Sequence, residues 1–227
     1  MPSGTRFREA IHIYLNKGKQ YWSKLGIDIL LGARTDAVMT SQEQQFLPDN
    51  LMMAIEGSSN TTVVAETRQV YPAPIADFRA ALFTPVLFFC SVLLLVIFLS
   101  FYPSTAIKKW MPRLDGLLFF LTGLLGVILI LMWVATDHSM TKDNYNLLWA
   151  LPTHLFVSFF MYSKRKWLKL YFGFTTVLMV ILLLAWFLLP QQMNNALIPL
   201  VAILLLRSAL KYVDYGKQDD LTRRRKN

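Results

Sequence analysis

Three long apolar runs, at residues 81–101, 117–135 and 168–189, restrict this chain to a narrow set of folds. A helix crosses a hydrocarbon layer about 30 Å thick with roughly 20 apolar residues, and each run meets that length. Two more runs read as spans although they are shorter or interrupted: 147–162, with Pro152 and His154, and 196–212, with Pro199 and Arg207. A membrane helix tolerates proline where its neighbours re-satisfy the freed carbonyl, and Arg207 is expected to snorkel from its helix end to the interface. With 55% hydrophobic residues, 16% charged residues and a mean hydropathy of +0.41, the chain is too apolar for a soluble domain of its 227 residues.

The connecting loops give an orientation, because Lys and Arg collect in short cytoplasmic loops. In chain order, the loop after the first span carries Lys108, Lys109 and Arg113, and the loop after the third span, 147–162, carries Lys164, Arg165, Lys166 and Lys169. The tail carries Lys211, Lys217, Arg223, Arg224, Arg225 and Lys226. Between them, TDHSMTKDNYN has one Lys against two Asp, and PQQMNN has no charge. Five spans with a cytoplasmic C-terminus then place residues 1–79 outside the cytoplasm. Aromatic residues fit this arrangement, since Trp and Tyr favour interfaces. Tyr102, Trp110, Tyr162, Trp167, Tyr171 and Tyr212 fall near inner ends, and Trp133, Trp149 and Trp186 near outer ends.

The expected fold is therefore an all-α integral membrane bundle of about five transmembrane helices over 80–212. A small, mixed but mainly helical extracytoplasmic segment precedes it over 1–79, and a basic cytoplasmic tail follows over 213–227. Residues 1–79 hold eight basic and eight acidic residues, so the net charge of +9 belongs to the membrane part. A nucleic-acid partner would need that charge along one folded face. Cys90 is the single cysteine, which leaves no internal disulfide and no cysteine-rich metal site, and its apolar run FTPVLFFCSVLLLVIFL disfavours a reactive thiolate. No residue pattern calls for a cofactor.

Within 1–79, RFREAIHIYL has helical periodicity ending at Asn16–Gly18, and WSKLGIDILLG is a second apolar run closed by Gly32. Thr40 is a hydroxyl cap that opens a helix, and Pro48 suits a first helical turn. TTVVAETRQVY reads as a strand or extended linker, and Asn60-Thr61-Thr62 matches a glycosylation triplet. So thinly patterned a segment buries a small core and looks like the end of a larger domain. MPSGTRFREA has no apolar signal core, so the expectation is that an export signal and further extracytoplasmic residues lie upstream, or that the first span exports its own neutral tail.

The polar residues that stand out are Asp137, His138, Asn144, Asn146 and His154, expected as a cluster in the outer leaflet. Asn146, Ala150, His154 and Ser158 recur every four residues, which places them on one helix face pointing into the bundle. Gly116, Gly123 and Gly126 supply a small-residue face for close helix packing. Two readings of the cluster stand side by side: it binds a headgroup or relays a proton, or it caps helix ends and ties spans together. Two His and one Asp lack the compact spacing of a zinc site. Asp115, beside Arg113 and Lys109, reads as a surface ion pair. No catalytic residue is assigned.

FREAIHIYLNKGKQYWSKLGIDILLGARTDAVMTSQEQQFLPDNLMMAI, followed by DGLLFFLTGLLGVILILMWVATDHSMTKDNYNLLWALPTH, resembles the C-terminal half of Lnb-type lipoprotein N-acyltransferases. The resemblance implies a papain-like periplasmic domain followed by membrane helices in the bacterial inner membrane. It also implies a Cys–His pair that passes an acyl chain from a membrane phospholipid to the α-amino group of a lipoprotein's N-terminal cysteine. The family's catalytic Cys and His lie upstream of the segment represented here, and no residue of this chain corresponds to either. The resemblance thus implies a membrane module served by an upstream catalytic domain or chain. The alternative is a stand-alone membrane anchor or a scaffold that binds lipid or a partner without catalysis.

Overall fold

The computed structural model describes residues 4–57, 68, 83–163 and 165–224. The extended reading of TTVVAETRQVY and the Asn60 triplet fall outside them. Eight α-helices are described: α1 (Phe7–Lys17), α2 (Tyr21–Leu30), α3 (Pro48–Glu56), α4 (Pro85–Phe101), α5 (Thr105–Val134), α6 (Thr153–Ser158), α7 (Lys166–Leu184) and α8 (Ile198–Arg224). Among the described residues the β-structure amounts to an isolated antiparallel bridge, Arg6 to Val38.

By length and composition, α5, α7 and the stretch Asn195–Lys217 can each cross a membrane, and α4 is a shorter apolar helix. At 1.5 Å per residue its 17 residues extend about 26 Å. These helices are apolar around most of their circumference. Leu94, Phe98, Leu117, Leu121, Leu170 and Phe174 all face outward. So much exposed apolar surface is stable only in lipid.

The third expected span, 147–162, is a broken segment and not a continuous helix. It comprises a 3₁₀ turn at Tyr145–Leu148, a break at 149–152 and the six-residue α6. Pro152 stands at the break, where it donates no backbone N–H. Irregular backbone survives at membrane depth only when protein covers it, and here α5 provides the cover. A Cβ on Gly126 would overlap the carbonyl of Ala150, and one on Gly123 would overlap the backbone of Leu155. The expected glycine face is real, and what it admits is the backbone of the broken segment. The four-residue repeat lies on no single helix, although Asn146, Ala150 and His154 are all buried.

At the basic end of the bundle the sequence reading of two residues is corrected. Arg207 does not snorkel, and Asp115 is not a surface pair: they are 6% and 1% exposed and bind each other. Arg207 donates from Nε to Asp115 Oδ1 (2.6 Å) and from Nη2 to Oδ2 (2.9 Å), while its Nη1 donates to Ser100 Oγ (2.7 Å). Lys211 Nζ lies 3.1 Å from Asp115 Oδ2. The pairing ties α5 to α8 and, through Ser100, to α4. Three of the aromatic residues read as lying near helix ends turn inward instead of facing lipid headgroups. Trp149 and Trp186 are core residues, donating to Asn146 Oδ1 and Asn195 Oδ1, and Tyr171 hydrogen-bonds inside the bundle with His154 Nδ1 (2.6 Å).

In the N-terminal segment, α1 forms where expected, with Glu9 accepting from the backbone N–H of Arg6 (3.1 Å). Phe7 and Tyr14 pack on a small cluster of Ala10, Met39 and Leu47. Pro48 opens α3. Thr40 opens no α-helix: it exchanges hydrogen bonds with Glu43, and a short 3₁₀ turn, Glu43–Phe46, follows with Gln42 at its cap position and ends at Leu47 before α3 begins.

Candidate functional site at the junction of segment and bundle

Helix α2 ends inside the other end of the bundle, and its exit decides the geometry of the site. The last four carbonyls of an α-helix have no partner within the helix and are costly to bury alone. Here the membrane part supplies the partners. Asn146 Nδ2 donates to the carbonyls of Asp28 and Ile29 (both 3.1 Å), and Asn144 Nδ2 donates to those of Ile29 (2.8 Å) and Leu30 (3.1 Å). Gln191 Nε2 donates to Leu31 O (3.0 Å), and its Oε1 accepts from the Tyr145 N–H (2.7 Å). Gly32 and Ala33 then hydrogen-bond to the carbonyls of Met140 and Asp143. A side chain at Gly32 would overlap the Lys142 carbonyl, so glycine is required at this approach.

A buried charge network completes the seam. Arg8, fully enclosed, donates to Asp28 Oδ1 (2.9 Å), to both carboxylate oxygens of Asp36 (2.9 and 3.1 Å) and to Thr35 Oγ1 (2.7 Å). Asp28 also takes His12 Nε2 on Oδ1 (2.7 Å) and Asn194 Nδ2 on Oδ2 (2.8 Å). Asp36 Oδ2 accepts the Gln192 N–H (3.1 Å). Burial alone would raise the Asp28 pKa, but hydrogen bonds and charge from His12 and Arg8 outweigh it and hold it below its ordinary 3.8. Asp28 is thus an anion shared by α1, α2 and the loop before α8. His12, oriented by that carboxylate and partly exposed, has the geometry of an imidazole positioned by an acid.

The five residues singled out from sequence do not form one cluster. Asn144 and Asn146 work together as the caps of α2. Asp137 and His138 are exposed, and the His138 carbonyl accepts from the N–H and the hydroxyl of Thr141. His154 is fully buried lower in the bundle, edge-on to Phe119 (ring centroids 4.8 Å apart) and paired with Tyr171. Sequence reasoning missed Arg8, Asp28, Asp36 and Gln191. The available signal was charge inside apolar helical runs, as in GIDILLG.

Fold and junction together define a polytopic membrane module whose N-terminal segment is fastened into one end of its helix bundle. A family model described as the Lnb transmembrane domain matches residues 77–219, and the chain belongs to that family. The match agrees with the resemblance drawn from DGLLFFLTGLLGVILILMWVATDHSMTKDNYNLLWALPTH, and the motifs before residue 77 lie outside it. No curated protein and no solved structure matches the chain.

Proposed function

We propose that this chain is the membrane module of a lipoprotein N-acyltransferase-like protein of the bacterial inner membrane. In this reading five segments span the bilayer: α4, α5, the broken segment, α7 and α8. The capped end and residues 1–79 are periplasmic, and the basic end and tail are cytoplasmic. The module holds phospholipid and presents it to a Cys–His catalytic part supplied from outside this chain. There a thiolate attacks an acyl ester, releases the lysophospholipid alcohol and forms a thioester. The α-amine of a lipoprotein's N-terminal cysteine then takes the acyl group as an amide and regenerates the thiol.

The observation that carries this reading is the seam at α2. A buried arginine, two buried carboxylates and three capping amides fix the N-terminal segment to the bundle mouth, which is what a catalytic domain needs in order to meet lipid at one height. Cys90, the sole cysteine, is half-buried in α4 among apolar side chains and does not serve as the nucleophile.

The test uses a host whose own lipoprotein N-acylation is disabled, read by mass spectrometry of a lipoprotein's N-terminal peptide. The chain together with a Cys–His domain of the family should restore the N-acylated peptide, and the chain alone should not. Restoration by the chain alone would refute the division of labour. No restoration by the pair would refute acyl transfer and leave the anchor or scaffold reading.

A further inference from the structure

Where α1 crosses the loop that comes after α7, the described residues enclose a cavity of about 370 Å³, within the range of about 300–1,000 Å³ that holds small ligands. Three features say what it takes. Its charged lining residues are one of each sign: Arg6, at the cap of α1, and Glu9, three residues on in its first turn, both exposed. Its floor is fixed before any ligand arrives. Gln191 is held between Leu31 and Tyr145, the Gln192 N–H is bound to Asp36, and Trp186 Nε1 is bound to Asn195 Oδ1 (3.1 Å). Its lip is apolar and open, with Phe187 and the adjoining Leu188 79% and 84% exposed, continuous with exposed Leu184 at the end of α7.

We propose that this cavity seats the headgroup of an aminophospholipid, with the phosphate on Arg6, the ammonium on Glu9 and the acyl chains passing over Phe187 and Leu188 into the bilayer. The inference rests on the reading of the chain as a phospholipid-presenting module and adds the class of lipid and the place where its head sits. The paired charges select for a zwitterion. An anionic glycerol headgroup would bring its phosphate to Arg6 but leave the Glu9 carboxylate without a counter-charge and repelling. A choline headgroup carries no N–H to donate to the carboxylate, so it forgoes the charge-assisted hydrogen bond. The preformed floor lowers the ordering cost of binding, and the apolar lip favours a lipid over a soluble phosphoester.

Native mass spectrometry of the detergent-purified full chain tests this with phosphatidylethanolamine, phosphatidylglycerol and phosphatidylcholine of identical acyl chains, and with soluble glycerophosphoethanolamine. Phosphatidylethanolamine should bind best, and the soluble ester should bind at least tenfold more weakly. Arg6→Gln should weaken phosphatidylethanolamine about tenfold, as loss of one charge-assisted hydrogen-bonding partner implies. Glu9→Gln keeps a capping acceptor for α1 and should abolish the preference for ethanolamine over glycerol headgroups. Equal binding of the three lipids by the unaltered chain would overturn the proposal without any variant. So would soluble ester binding as tightly as lipid, or both variants binding like the parent. Ethanolamine selectivity without lipoprotein acylation would leave this site standing and refute acyl transfer. Acylation without selectivity would do the reverse.

Discussion

Asp115→Asn should destabilise the bundle by about 3–5 kcal/mol, the cost of breaking a buried ion pair from one side. Asparagine matches aspartate in shape, so the loss is not one of packing. The single carboxylate, 1% exposed, serves two cations: the Arg207 fork at 2.6 and 2.9 Å and Lys211 at 3.1 Å. Without its charge, Arg207 keeps its bond to Ser100, and both cations stay buried without a counter-charge. Replacing all three groups together (Asp115→Leu, Arg207→Met, Lys211→Met) removes the charges along with the need to pair them. That variant should be close to neutral or more stable than the parent. Unfolding in mixed micelles by increasing SDS, followed by tryptophan fluorescence, reads both. A loss under about 1 kcal/mol for Asp115→Asn, or a triple variant no better than the single one, would refute a charge-pairing role.

The seam and the glycine face lead to three further outcomes. Gly123→Ala should cost about 1–3 kcal/mol in the same SDS titration, because the new methyl displaces the Leu155 backbone, whereas Gly26→Ala, with open space around it, should cost little. Asn146→Ala removes a donor shared by two buried carbonyls and should cost about 1–3 kcal/mol, with faster hydrogen exchange confined to the end of α2. Because the folded-state pKa of Asp28 is depressed, its stabilisation is present above 3.8 and is lost as pH falls below it. Acid should therefore loosen the junction only below about pH 4, and Asp28→Asn should flatten that acid limb when α2 exchange is followed against pH.

Apolar length made the membrane helices legible, and local spacing made α1, the proline at the start of α3 and the glycine face legible. These are properties that a short window of sequence contains. What escaped was pairing over distance. Asp115 and Arg207 stand 92 positions apart, so a short window offers each only a neighbouring base or solvent as a partner, and their pairing is visible only in the fold. The same holds for Asn144 and Asn146. As polar residues at a helix end they could bind a ligand or cap a helix, and only the arrival of α2 from over a hundred residues upstream decides for capping. The break at Pro152 left a signal in the proline itself. The four-residue repeat around it obscured that signal, because buried positions recur on a backbone wrapped against α5 even where no helix is present.

Which end of the bundle faces the cytoplasm decides whether the α2 seam can meet a periplasmic catalytic part. In a Cys90→Ser background, single cysteines at His138, on the capped end, and at Lys109, on the basic end, can be challenged in intact cells with a membrane-impermeant maleimide. Labelling of His138→Cys with Lys109→Cys protected until the cells are lysed is the predicted result. Labelling of Lys109→Cys in intact cells, with His138→Cys protected, would contradict the orientation and the function built on it.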